Sequence, residues 1–233
     1  MTTSILFLLW AYLLGSVPFG YVVSRFSTRK NVLEVGWKKT SGSNVFVNIG
    51  KWQGVVTGIL DITKGFLAVW LTQKFNLPIE IQGLAGVAAV VGHNWSVFLK
   101  FAGGRGIGTF FGAALALVPQ IAALFLISFL VLALVWHTSI ATILGLMLFI
   151  LFSFYFHKVP VALFFGVTVL FPIFIKRLSP LADLGKPGPF EIKERNKIIT
   201  KTDAIRNRLV YDDNLPYYEF RIKRIIKRIT STP

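Results

Sequence analysis

The chain has 233 residues, 54% of them hydrophobic and 15% aromatic, and 25 Lys and Arg against 10 Asp and Glu give a net charge of +15. That apolar share, above the roughly 45–50% of soluble domains, excludes a water-soluble domain, and the absence of cysteine excludes disulfides, thiolate metal sites and cysteine nucleophiles. Three separated histidines do not compose a zinc site, and an apolar body directs the basic excess to anionic membrane lipids and not to nucleic acid.

Crossing about 30 Å of hydrocarbon takes some 20 helical residues, and apolar runs of that order occur at about 3–25, 53–73, 80–99, 138–156 and 158–175. The first run has neither the charged start nor the small-residue cleavage site of a signal peptide and reads as a membrane helix. Between the third and fourth runs lies 106–136, which as one helix would reach roughly 46 Å. Pro119 divides it into a short helix to about Val118 and a second from Pro119 to Trp136. The sequence thus predicts an all-α, polytopic integral membrane protein of about seven transmembrane helices, with residues 1–177 as the membrane domain and 178–233 as a basic polar tail.

Charge sets the expected orientation. Residues 1–175 carry 11 basic and 3 acidic side chains, and the other 14 and 7 lie in 176–233. Seven spans put the basic first loop, the segment around Lys100 and Arg105, and the tail on one face, expected to be the cytoplasmic face of the inner (plasma) membrane with the N-terminus outside. His137 and His157 then fall at the opposite interface. The tail breaks at Leu184–Pro189, and residues 217–229 space Tyr218, Ile222, Ile225, Ile226 and Ile229 near one helical face. That pattern suits a helix on an anionic membrane surface, or a solvated basic helix.

Three polar groupings interrupt the apolar background. The loop from Glu34 to Lys51, EVGWKKTSGSNVFVNIGK, is rich in small and hydrogen-bonding residues, including Ser41, Ser43 and Asn44. Asp61 and Lys64 stand three apart inside the second span, where ionisable groups pair or face a polar interior. Last comes GHNWSVFLKFAGGRGIGTFFG, Gly92 to Gly112: His93 and Asn94 end one span, and Gly103, Gly104, Arg105 and Gly106 lead to Thr109 in the next helix. Backbone N–H groups of such a turn, a guanidinium fork and a helix N-terminus together suit a phosphate. A tight interhelical turn bearing positive-inside charge explains the same residues.

These segments, with AYLLGSVPFGYVVSRF from Ala11, SNVF from Ser43 and LDITKG from Leu60, resemble in order and spacing the bacterial acyl-phosphate:glycerol-3-phosphate acyltransferases over about residues 8–112. TSIATIL from Thr138 resembles that family's SLASI. The resemblance implies a seven-span membrane enzyme moving an acyl group from acyl phosphate to the sn-1 hydroxyl of glycerol 3-phosphate, giving lysophosphatidic acid, and chemistry without a cofactor. Oligomeric state does not follow from it. The family's GGKGxAT turn becomes Gly103 to Thr109 here, with arginine for lysine. Against its first-loop motif EVGSGNxGATNVxR, Trp37 stands for serine and Val47 for arginine, while Asn44 matches. Against HRxNIxRLLxGTE, Phe171 stands for histidine, Phe174 for asparagine and Asp183 for glutamate.

The expected catalytic residues are Ser41, Ser43 and His93, and the expected substrate contacts Asn44, Asp61, Lys64, Asn94, Gly103, Gly104, Arg105, Gly106 and Thr109. The replaced polar positions leave a second reading, a catalytically silent homologue that binds a phosphorylated lipid or metabolite. A transporter is a third, weakened by the lack of an inverted repeat. Trp37 beside Arg105 would favour the silent reading; Ser41 or Ser43 facing Arg105 would favour the enzyme.

Overall fold

A computed structural model describes residues 2–135 and 138–178, and all regular structure among them is helical. The elements are α1 (Thr2–Ser16), α2 (Phe19–Thr28), α3 (Gly42–Asn48), α4 (Lys51–Lys74), α5 (Ile79–Asn94), a 3₁₀ turn at Val97–Leu99, α6 (Ile107–Leu117), α7 (Pro119–Val135), α8 (Thr138–Tyr155), α9 (Val159–Val161), a π-helical turn at Ala162–Val167 and α10 (Thr168–Leu178). His137, Asp183, the break at Leu184–Pro189 and the amphipathic stretch at 217–229 lie outside the described residues.

The division at Pro119 is found where the sequence sets it, since proline suits the first position of a helix. Two expected spans differ in detail. The first is interrupted at Val17 and Pro18, because proline has no N–H for the helical ladder and disfavours helical geometry in the residue before it. The run expected over 80–99 stops being α-helical at Asn94, where the Ser96 hydroxyl donates to Ser16 O and draws the chain into a turn against the end of α1. Thr2–Thr28, Lys51–Lys74 and Val159–Lys176 are long and apolar enough to cross a membrane, while α6, α7 and most of α8 are shorter apolar helices.

Helix α4 is built inside out. Gln53, Thr57, Asp61, Lys64, Ala68 and Thr72 recur at three- and four-residue spacing on its buried side, whereas Trp52, Val55, Ile59, Leu67 and Trp70 are exposed. A water-soluble helix would do the reverse; here the apolar face meets hydrocarbon and the polar stripe meets protein. Gly65 and Gly112 let α4 and α6 touch backbone to backbone, since a Cβ at either would collide with a carbonyl of the other helix. The apolar core gathers around Phe110 of α6, whose ring lies 5.0 Å from Phe125, 5.2 Å from Phe149 and 5.1 Å from Phe165. α6 is thus fixed on one side by α4 and on the other by α7, α8 and the π turn, and its N-terminus is held rigidly against the polar stripe.

Candidate functional site

The site begins with the polar stripe of α4. Asp61 lies ten residues into that helix, roughly 15 Å from its start, and is only 4% exposed. Its Oδ1 meets two partners, Lys64 Nζ at 3.1 Å and His93 Nδ1 at 3.3 Å. Lys64 Nζ also donates to Val17 O at 2.9 Å and lies 5.7 Å from the centre of the Phe19 ring. The interruption of the first span thereby acquires a purpose: it turns a carbonyl out of the α1 ladder, and a lysine from α4 satisfies it. Lys64, expected as a substrate contact, is engaged on this side by Asp61 and Val17.

His93 connects this ion pair to the glycine turn. With the proton on Nδ1 facing Asp61, Nε2 is the acceptor, and it points at the turn: a Cβ on Gly104 would overlap Nε2. The turn is clamped there by Gly104 N–H donating to His93 O at 3.0 Å, and Gly103 O receives the Thr40 N–H at 3.4 Å. Gly106 adopts φ +80 as the cap of α6, a left-handed conformation that glycine reaches without strain. Gly108, in the first turn of α6, packs on Asp61, since a Cβ there would sit 3.4 Å from Asp61 Cβ. Asp61, Lys64, His93, Gly103, Gly104, Gly106 and the start of α6 are therefore one connected structure.

Arg105 is 7% exposed, and its guanidinium carbon lies 5.7 Å from the centre of the Trp37 ring. That distance suits a cation–π interaction with the indole. Asn94 Nδ2 donates to Pro172 O at 3.0 Å and so joins the end of α5 to α10. The Asn94 Oδ1, Thr57 Oγ1 and Thr109 Oγ1 atoms are buried without a hydrogen-bond partner among the described residues, and buried polar atoms of that kind call for one.

The first loop approaches from the other side. Asn44 is fully buried, its Nδ2 donating to Lys39 O at 2.8 Å and Val35 O at 3.2 Å, while its Oδ1 accepts from Trp37 N at 3.0 Å and Asn48 Nδ2 at 2.9 Å. Its amide is occupied in folding the loop, and it places Trp37 under Arg105. Ser41 precedes α3, and its Oγ lies 3.3 Å from Ser43 Oγ. Both follow Thr40, which is bonded to the glycine turn.

Two positions whose residues differ from the resembled family are exposed, Phe171 at 64% and Val47 at 45%. Phe174 is likewise exposed. The sequence reading overlooked Val17, Thr40 and Lys176. Pro18 could have signalled a carbonyl turned out of the helical ladder; nothing local marked the other two.

Gly104 gives a sharp prediction. Its φ is not in the left-handed region, so alanine is acceptable to the backbone and the nearest conflict is with the His93 ring. Gly104→Ala is expected to push the imidazole off Asp61 and lower turnover by roughly a hundredfold or more, the contribution ascribed to one acid–base group. Turnover measured beside thermal unfolding checks it, with unfolding expected to change little.

The sequence profile of the glycerol-3-phosphate acyltransferase family matches residues 5–182. Glycerol-3-phosphate acyltransferase 3 of Dehalococcoides mccartyi is 41% identical over 127 residues, 49% of this chain and 58% of that protein. The glycerol-3-phosphate acyltransferase of Fusobacterium nucleatum is 29% identical over 170 residues, 72% of this chain and 87% of that protein. The chain thus spans little more than half the length of the first relative and most of the second. Among solved structures, PlsY, an integral membrane glycerol 3-phosphate acyltransferase, superimposes in its glycerol 3-phosphate form with a TM-score of 0.70 at 29% identity, over 78% of this chain and 92% of that one. Its lysophosphatidic acid form gives 0.68 at 25% identity, over 88% and 99%. Family profile, fold and the glycine turn agree: the chain is an integral membrane protein of the glycerol-3-phosphate acyltransferase family.

Proposed function

We propose that this chain transfers an acyl group from acyl phosphate to the sn-1 hydroxyl of glycerol 3-phosphate. The observation that carries the reading is the joining of a glycine turn bearing buried Arg105 to the Asp61–His93 pair. The solved relative's glycerol 3-phosphate and lysophosphatidic acid forms support the choice of acceptor and product.

Acyl phosphate is a mixed anhydride, already activated, so positioning and charge neutralisation supply most of the rate. Arg105 and the turn amides, with Thr109, hold a phosphoryl group. His93 Nε2 takes the hydroxyl proton while Asp61 fixes its tautomer, as a carboxylate does for a histidine base. The hydroxyl oxygen bonds to the acyl carbonyl carbon, the bond from that carbon to the phosphate oxygen breaks, and its electron pair leaves on inorganic phosphate, which then receives the proton. Ser41, Ser43 and the unpartnered Asn94 carbonyl contribute hydrogen bonds to the acceptor. Asp61, Lys64 and Asn44 act by holding these groups in place.

The site opens to the cytoplasm, with the N-terminus outside the plasma (inner) membrane and the basic tail inside. Lys38, Lys39, Lys51, Lys100 and the tail support that orientation, and the tail's charge suits anionic lipids.

Trp37 against Arg105 favours the silent-homologue reading as the alternative. Detergent-purified protein given acyl phosphate and radiolabelled glycerol 3-phosphate should form labelled lysophosphatidic acid. No product, where a related active enzyme turns over, would leave the silent homologue.

A further inference from the structure

Three cations are buried among the described residues: Lys64, Arg105 and Lys176. The first is neutralised by Asp61 and the second belongs to the glycine turn. Lys176, on the last full turn of α10, is 6% exposed and has neither use. Its Nζ donates to Phe101 O at a long 3.5 Å and lies 5.3 Å from the centre of the Trp95 ring. An ammonium has three N–H donors, and this contact occupies one of them weakly.

No carboxylate among the described residues can balance this charge. Residues 2–178 contain three: Glu34, Asp61 and Glu80. Glu34 accepts from Asn31 in the exposed first loop, Asp61 is shared by Lys64 and His93, and Glu80 lies at the far end of α5. A buried cation that no described residue neutralises is costly in a membrane domain and marks a functional site by default.

Its location indicates the anion. Phe101, which it contacts, stands two residues before Gly103 and adopts φ 65, in the left-handed region, which turns its carbonyl toward α10. Asn94 fixes the neighbouring turn of α10 through Pro172 O. The glycine turn therefore has Arg105 at one end and Lys176 at the other. On α10 Phe171, Phe174 and Ile175 are exposed, whereas Lys176 is buried.

We propose that Lys176 is a second cationic ligand for a phosphoryl group, acting from α10 across the glycine turn from Arg105. The proposal rests on the acyltransferase reading for which substrate is held, but not for the anion site itself. The phosphoryl group belongs to glycerol 3-phosphate or to acyl phosphate, and both present the same dianionic oxygens.

Lys176→Met keeps length and apolar packing over Trp95 and removes the charge; Lys176→Gln is a second neutral variant should the first fail to fold; Lys176→Arg keeps the charge. Binding of inorganic phosphate to detergent-purified protein, measured by calorimetry, needs no turnover and stands whether or not the chain is an enzyme. The neutral variants should weaken it at least tenfold with unfolding temperature little changed, and the arginine variant should recover most of it. In the acyl-transfer assay, KM should rise more than kcat falls. A rise confined to glycerol 3-phosphate assigns Lys176 to the acceptor, and one confined to acyl phosphate assigns it to the donor. Unchanged phosphate binding in a folded neutral variant, or loss of kcat alone, overturns the proposal.

Discussion

Replacing Arg105 with alanine is expected to lower kcat/KM for acyl transfer by roughly a hundred- to a thousandfold, the usual loss when one preorganised charge-stabilising donor is removed. Stability should fall far less. Its guanidinium carbon lies 5.7 Å from the centre of the Trp37 ring, a cation–π interaction of about 0.5–2 kcal/mol depending on desolvation. Activity measured beside thermal unfolding separates the two effects. Arg105→Lys should lie between, because an ammonium keeps the charge but lacks the planar fork of N–H donors that matches phosphate oxygens. Equal loss of activity and stability in Arg105→Ala would make the turn merely a structural joint.

The second large effect is expected at Asp61. Asp61→Ala leaves Lys64 buried without its counter-ion and His93 without the group that orients it, and breaking a buried pair by removing one partner costs about 3–5 kcal/mol. The protein should be hard to purify or unfold at clearly lower temperature. Asp61→Leu with Lys64→Met removes both charges together, which for buried pairs is often neutral, so it should restore much of the stability. It should not restore activity, since His93 still lacks its tautomer-fixing partner. Unfolding temperature and turnover measured on both variants give the answer; recovery of both would reduce Asp61 to a structural role.

How much of this was legible in the sequence follows from the range of the interactions involved. Helix identity, the division at Pro119 and the Asp61–Lys64 pair are local, set by composition and three-residue spacing, and were readable. The turn at Gly103 to Gly106 was readable as a conformation, and the family resemblance gave it a ligand. Contacts between helices were hidden. Lys64 meets Val17 across 47 residues, and Asn94 meets Pro172 across 78. Nothing in the periodicity of either segment selects its partner. The replaced polar positions could be sorted by exposure only in the structure: Val47, Phe171 and Phe174 are exposed. Trp37 is the exception, since it does lie beside Arg105. Lys176 carried no sequence signal, as one lysine ahead of a basic tail reads as a topology marker until its burial is seen.

The most direct test of the central claim is the ratio of inorganic phosphate released to lysophosphatidic acid formed, followed in one reaction for the native chain and for Arg105→Ala. The native chain should release one phosphate per lysophosphatidic acid only when glycerol 3-phosphate is present, and the variant should lose both products together. Phosphate release without the acceptor, or lysophosphatidic acid formation undiminished in Arg105→Ala, would contradict an acyl transfer carried out at the glycine turn.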